Sequence, residues 1–448
     1  MHQMNSRQRP IGVDLFAGAG GMTLGFEQAG FDVLAAVEID PIHCATHEYN
    51  FPQWSVICKS AAEITGTEIR QLSHIGNREI DVVFGGSPCQ GFSVIGKRAL
   101  DDPRNSLVFH FLRLVLELQP KYFVFENVPG LTIGKHQQFI LEIITEFQKN
   151  NYKVETNYQV LNAVNYGVPQ DRTRLFILGC RDDLPLPTYP LSSTRPYIGK
   201  KSKYILNSPD LSFAPTVFQA IGDLPEIEEY PELITQDFVF AQYQEPSNYS
   251  AILRGMTTRE NDYSYPRIYN PQILTSSIRT RHSQAARIRF ENTQPGKTES
   301  ISRFYRLTKD GICNTLRAGT PRNRGAFTSA RPIHYQTARC ISVREAARLH
   351  SYPDWFRFHI TKWHGFRQVG NSVPPLLAEK VATEIIKVLN LTPSQPSQKI
   401  PLLKDNLLQF NMLQASQYYD VSEHVIEPRN RKKEKKLEPE DITFFPDL

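Results

Sequence analysis

Over the first 180 residues, apolar positions fall into two alternating rhythms. Ile11, Val13 and Leu15 start a strand, and Phe16-Ala17-Gly18-Ala19-Gly20-Gly21 is a glycine-rich turn. Met22, Leu24, Phe26 and Ala29 follow with helical spacing, and Gly30 closes that helix. Val33 to Val37 is a second strand ending in Glu38, and Val56 to Ser60 a short third one. Ile80 to Phe84, with Asp81 inside it, reads as a buried strand; Gly85 and Gly86 end it, and Pro88 stiffens the turn. The pattern then predicts a helix over Leu107–Leu118, a buried strand over 121–125, a helix over Phe139–Phe147, and strands over 154–161 and 175–179. Strands alternating with helices predict an α/β fold built on a mostly parallel sheet.

After Gly179 that rhythm stops. Residues 181–335 are rich in Pro, Ser, Tyr and Thr and predict a second, irregular domain. A helix resumes over Ser342–His350, with Ser342 as N-cap and Glu345 three residues on. Gln368–Pro375 reads as a turn and Leu376–Leu389 as an amphipathic helix. Pro393–Gln398 has linker composition, and Arg429–Lys436 is a basic run within the tail.

Charge changes the picture through its distribution. The 448 residues carry a formal net charge of only +5. No Lys or Arg occurs from Tyr204 to Leu253, where Asp210, Asp223, Glu226, Glu228, Glu229, Glu232, Asp237 and Glu245 stand. From Ala251 to Cys340 there are 16 Lys plus Arg against 5 Asp plus Glu, a net +11. Most are arginines: Arg279, Arg281, Arg287, Arg289, Arg303, Arg306, Arg317, Arg322, Arg324 and Arg331. With Phe304, Tyr305 and His282 among them, they suit phosphates and base edges; a solvated face is the alternative. Six cysteines without a CxxC pair suggest neither a zinc site nor a disulfide framework. The polar start and the lack of a long apolar run predict a soluble cytoplasmic chain, monomeric, without metal or membrane.

Candidate chemistry gathers at strand ends, where open α/β sheets bind ligands. Cys89 sits on a loop at such an end, flanked by residues that leave room for a reactant, as a nucleophile needs; a buried structural cysteine is the alternative. Glu38, 18 residues after Gly20, can accept hydrogen bonds from ribose hydroxyls. The GxGG spacing favours a nucleoside cofactor without a pyrophosphate. Glu126 ends another apolar strand, and a surface glutamate is the bland reading. Gly91–Asn105 is a polar loop of functional length. Arg172 and Arg174 alternate onto one strand face and imply an anionic partner such as phosphate, or else an ion pair with a nearby acid.

These stretches, taken in order, resemble the DNA (cytosine-5)-methyltransferases. Asp14-Leu15-Phe16-Ala17-Gly18-Ala19-Gly20-Gly21 is similar to that family's S-adenosylmethionine motif. Gly86-Ser87-Pro88-Cys89-Gln90-Gly91-Phe92-Ser93 is similar to its nucleophile loop, Glu126-Asn127-Val128 to its ENV motif, and Gln170, Arg172 and Arg174 to its QxRxR motif. Arg344–Leu349 and Gly370–Pro375 resemble its last two motifs. Ser87 replaces a common proline, and Ser60 stands where many members carry an aspartate that binds adenine.

The resemblance implies a Rossmann-like S-adenosylmethionine-dependent methyltransferase sheet with a smaller target-recognition domain. Residues 10–180 would form the catalytic and cofactor-binding domain and 181–335 the recognition domain. Residues 336–392 would return to the first, and 393–448 would be a linker and charged tail, partly disordered. It implies catalytic roles for Cys89, Glu126, Asn127, Arg172 and Arg174. The cofactor would meet Phe16, Ala17, Gly18, Gly20, Gly21, Glu38, Ile39, Ser60, Pro88, Leu107, Asn371 and Ser372. DNA would meet Ser93, Lys97, Arg104, Gln170, Thr315, Leu316 and Arg317. The expected reaction methylates carbon 5 of a flipped-out cytosine in a specific duplex sequence, in a restriction-modification setting with a cognate endonuclease as functional partner. The rival readings are an RNA (tRNA) cytosine-5 methyltransferase, a nicotinamide-dependent oxidoreductase and a non-catalytic DNA-binding protein.

Overall fold

The computed structural model describes residues 9–88, 106–132, 136–197, 204–319 and 331–426. Its centre is an eight-stranded sheet. The strands are β1 (Ile11–Leu15), β2 (Asp32–Glu38), β3 (Ser55–Cys58), β4 (Val82–Gly86), β5 (Tyr122–Asn127), β6 (Tyr152–Val154), β7 (Gln159–Asn162) and β8 (Thr173–Arg181). Helices α1 (Gly21–Ala29), α2 (Pro41–Asn50), α3 (Gly66–Gln71), α4 (Ser106–Leu118) and α5 (His136–Lys149) connect them. The order is β3-β2-β1-β4-β5-β8-β6, with β7 also on β8. The first five strands are parallel, and β8 runs antiparallel to β5.

The strands are apolar because both sheet faces are covered. Val13, Leu15, Val82, Val83, Phe84, Phe123 and Val124 are fully buried. The order reverses between β2 and β4 on either side of β1, so the glycine turn after β1 opens at the switch point of the sheet. The antiparallel β8 begins at the end where β5 finishes, since Asn127 pairs with Leu175. The residues just before β8 therefore stand beside the tips of β4 and β5.

The predicted strand over 154–161 is instead two, β6 and β7. The polar turn at Glu155–Asn157 separates them, with Asn157 N–H donating to the Glu155 carboxylate at 2.9 Å.

The second half holds α6 (Val217–Ile221), α7 (Asn248–Leu253) and α8 (Gln284–Asn292). Short strands pair as β9 (Thr194–Arg195) with β10 (Ser212–Phe213), β11 (Phe238–Phe240) with β13 (Ile273–Thr275), and β12 (Arg267–Ile268) with β14 (Ile400–Pro401). Then come α9 (Val343–Arg348), α10 (Lys362–Asn371), α11 (Pro375–Val388) and α12 (Met412–Tyr418). The expected cap of α9 is present: Ser342 and Glu345 form a reciprocal capping box. The expected turn at Gln368–Pro375 is corrected, because Gln368–Asn371 closes α10.

Charge pairing replaces regular structure as the glue here. The acidic stretch supplies counter-ions to arginines near α9. Glu226 and Glu345 both grip Arg339, at 2.7 and 2.9 Å. Asp223 and Asp354 grip Arg348, and Asp237 pairs with Arg357 at 3.1 Å.

Helix α11 returns to cover α1. A Cβ on Gly25 would sit 2.6 Å from the Pro375 carbonyl, so only glycine allows the two helices to meet this closely. Within the expected linker and tail, Leu407 and Leu408 pack on Ala45 and Tyr49 of α2, and Tyr419 donates to Glu48 at 2.6 Å.

Candidate active site

The glycine turn is shaped by left-handed backbone: φ is 61° at Phe16, 57° at Gly18 and 99° at Gly20. A Cβ on Gly18 would meet no described atom within 4 Å, so the space over the turn is open. Glu38, at the end of β2, accepts the Gly18 N–H at 2.8 Å and those of Ile39 and Asp40 at 3.0 and 2.9 Å. One carboxylate thus locks the turn to the neighbouring strand tip. Gly21 lies under the other wall, where its Cβ would be 2.6 Å from Tyr352 Oη and 2.8 Å from Ser372 Cβ. Phe16, Ala17, Gly18, Gly20, Gly21, Glu38, Ile39 and Ser372 therefore do gather. Asn371 is exposed at the end of α10, and Leu107 is half-buried on α4. The Ser60 hydroxyl accepts the Ala62 N–H at 3.2 Å, closing a local turn after β3.

Beneath the turn is a buried set that sequence reading did not single out. Thr23 Oγ1 donates to Asp14 at 2.6 Å and lies 3.5 Å from His47 Nε2, while His47 Nδ1 lies 3.3 Å from the Gly18 carbonyl. Burial pushes Asp14 up to about 8 and His47 down to about 4, so both favour their uncharged forms near neutral pH. Asp14 lay in a quoted motif; its burial at a strand end was the available signal.

At the next tip, glycines make room. A Cβ on Gly85 would strike the Leu15 carbonyl, and one on Gly86 would strike the Glu126 carboxylate. Asn127 Nδ2 donates to the Ser87 carbonyl at 3.2 Å, pinning the segment that leads to exposed Pro88. Cys89, Ser93, Lys97 and Arg104 lie outside the described residues.

Glu126 is buried, and burial pushes its carboxyl up, while Arg174 and Arg172 pull it back. Arg174 Nε meets Glu126 Oε1 at 2.7 Å. Arg172 is 1% exposed and donates to the carbonyls of Leu316, Gly370 and Ser372 at 2.7, 2.8 and 2.7 Å. The expected phosphate partner for this pair is therefore corrected: a carboxylate answers one guanidinium and three carbonyls the other.

Gln170 and Leu316, expected at DNA, are also corrected. Both are buried, and the Leu316 N–H donates to Gln170 Oε1 at 3.1 Å. They dock the 313–316 segment onto the loop before β8. Thr315 Oγ1 likewise donates to the Asp171 carbonyl at 2.6 Å, whereas Arg317 is exposed.

The basic patch shrinks in the same way. Arg287 and Arg279 pair with Glu228, Arg289 with Glu299, and Arg306 donates to the carbonyls of Phe290, Glu291 and Thr293. Among the described residues, Arg281, Lys297, Arg303, Lys309 and Arg317 remain exposed. Arg322 and Arg324 lie outside them. No described helix is long and apolar enough to cross a membrane.

Known proteins are similar to this chain over most of its length. The family description C-5 cytosine-specific DNA methylase matches residues 12–387. The chain is 55% identical over 423 residues to the Type II methyltransferase M.XorII of Xanthomonas oryzae pv. oryzae, covering 94% of this chain and 95% of that one. It is 33% identical to M1.HphI of Haemophilus parahaemolyticus, over 84% and 86% of the two chains. Among solved structures, an Escherichia coli prophage-encoded protein described as a DNA modification methyltransferase aligns with TM-score 0.67 and 32% identity, over 85% of this chain and 99% of that one. With the glycine turn, the Gly86–Glu126 contact and the loop before β8 gathered at one end of the sheet, the chain belongs to the C-5 cytosine-specific DNA methylases.

Proposed function

We propose that the chain methylates carbon 5 of a cytosine extruded from duplex DNA at one specific sequence, through an adduct with Cys89. Stacked in the duplex, the base cannot be reached, and extrusion costs a few kcal/mol. The Cys89 thiolate forms a bond to carbon 6, and the displaced electron pair makes carbon 5 nucleophilic. An ordinary thiol ionises at about 8.5, so the site must favour the thiolate. Glu126, whose carboxyl burial pushes toward the protonated form, donates a proton to ring nitrogen 3 as the pair moves. Arg174 fixes that carboxyl through Nε, its Nη1 donates to the Thr173 carbonyl at 2.8 Å, and Nη2 would serve the base's carbonyl oxygen. Once carbon 5 carries the methyl group, loss of its proton to a base, departure of the sulfur and return of the nitrogen-3 proton to Glu126 restore the ring and free Cys89.

The open space over Gly18 and the Glu38 carboxylate at its edge fit a nucleoside cofactor. S-adenosylmethionine, when bound there, supplies the electrophilic methyl group that carbon 5 accepts. Phe16, Ala17, Gly18, Gly20 and Gly21 would line it, and Glu38 would take its ribose hydroxyls. Ile39, Ser60, Pro88, Leu107, Asn371 and Ser372 would complete the walls. Residues 181–335 would read the flanking sequence, with Arg317 at the DNA, while 10–180 and 336–392 carry the chemistry. The product would protect host DNA from a partnered endonuclease.

The contact of Glu126 with Gly86, three residues before Cys89, supports this reading most directly. The test is to incubate genomic DNA with the chain and S-adenosylmethionine and to map 5-methylcytosine. One short sequence should be modified throughout. Cys89→Ala should abolish the signal while both ligands still bind; full activity of that variant would remove Cys89 from the reaction.

A further inference from the structure

His350, just after α9, is fully buried and takes no part in the chemistry above. Its two ring nitrogens face different halves of the site. Nδ1 lies 2.9 Å from Gln170 Nε2, and Nε2 lies 3.1 Å from the Ser372 carbonyl. A carbonyl only accepts, so Nε2 carries the proton. An amide NH2 only donates, so Nδ1 is bare. The Gln170 amide is oriented independently, because its oxygen accepts from Leu316 N–H and its nitrogen also donates to the Leu349 carbonyl at 3.1 Å. One neutral tautomer therefore satisfies every group.

The bonds close a circuit: Leu316 to Gln170, Gln170 to His350, His350 to Ser372, and Arg172 to both Ser372 and Leu316. Ser372 packs on Gly21 of the glycine turn. Leu316 precedes the Arg317–Ala318 backbone that presses on Gly370. We propose that His350 is a positioning residue, with Nε2 fixing the wall of the cofactor turn and Nδ1, through Gln170, fixing the buried 313–316 segment that leads into exposed Arg317. The proposal rests on the methyl-transfer reading for the identity of the two ligands.

Two substitutions separate the arms. His350→Asn keeps an oxygen near the Nδ1 position, and so keeps the Gln170 bond, but does not reach Ser372. His350→Gln can return an N–H toward Ser372 but gives up the acceptor for Gln170. The full-length chain is assayed for KM and kcat with S-adenosylmethionine and duplex DNA, alongside thermal melting. His350→Asn should raise KM for S-adenosylmethionine about tenfold and His350→Gln should raise KM for DNA about tenfold, the usual scale of coupling between sites, each with kcat little changed. Equal changes in both constants, tracking the loss of melting temperature, would mean a purely structural histidine and overturn the proposal. The unmutated chain gives a check independent of variant folding. With 15N-labelled histidine, His350 should keep its proton on Nε2 from about pH 5 to about pH 8, the span in which histidines ordinarily titrate. A proton on Nδ1 would overturn the proposal. Wild-type chain that leaves DNA unmethylated would instead overturn the methyl-transfer reading itself.

Discussion

Removing Glu27 should cost far more than removing it together with its partner. Glu27 on α1 and Arg267 on β12 form an ion pair whose side chains are both 0% exposed. Arg267 Nη1 and Nη2 donate to the two carboxylate oxygens at 2.8 and 2.9 Å. Arg267 also donates to the carbonyls of Tyr265 at 2.6 Å and Asn50 at 3.2 Å, and Glu27 accepts the Tyr265 N–H at 2.9 Å. Glu27→Met strands a guanidinium in the interior, and Arg267→Met strands a carboxylate; each should cost about 3–5 kcal/mol. In the double variant no charge is left. Only the lost contacts to Tyr265 and Asn50 remain, worth about 1–3 kcal/mol together. The measured coupling should therefore be several kcal/mol. Urea unfolding followed by tryptophan fluorescence reads it, because the Trp355 ring lies 4.5 Å under the guanidinium and Trp54 packs edge-on against Tyr265. Single variants costing under about 1 kcal/mol, or a double equal to their sum, would refute the argument.

Glu126→Gln removes the titrating proton donor, and turnover should fall about a hundredfold or more while DNA affinity holds; unchanged turnover refutes the assigned role. Asp14 has its folded value raised to about 8, so its contribution to stability is complete below the unfolded value near 4 and is lost as pH rises toward about 8. Melting temperatures of Asp14→Asn should therefore gain on the wild type across that window, and parallel curves would contradict the shift. Gly21→Ala drives a methyl group to 2.6 Å from Tyr352 Oη and 2.7 Å from the Val373 carbonyl. It should weaken S-adenosylhomocysteine binding in calorimetry by about 1–3 kcal/mol through overpacking; wild-type affinity would show that the wall gives way.

What could be read from the chain was what local pattern controls. Buried strands such as Val82–Gly86 and Tyr122–Asn127 announced themselves as apolar runs ending in glycine or an acid, and they do lie side by side. Helix α10 was hidden because Gln368–Pro375, with Gly370 inside it, reads as a turn. Gly370 is there to admit the Arg317–Ala318 backbone, a contact between distant segments that no local rule reports. The arginine count overstated the DNA surface for a related reason: Glu228 lies 59 residues along the chain from Arg287, whose charge it cancels. The partners of Gln170 and Arg172 are main-chain carbonyls, the Leu316 N–H and the His350 ring, which composition never displays.

The crossing of α1 and α11 bears on how the protein is made. On the ribosome, the helix behind the glycine turn emerges early with its apolar side bare, and its lid is translated only when Pro375–Val388 appears. The nascent amino-terminal half must wait for that lid. Premature termination anywhere in the intervening region leaves that side of α1 without its cover, exposed apolar surface of the kind that favours aggregation.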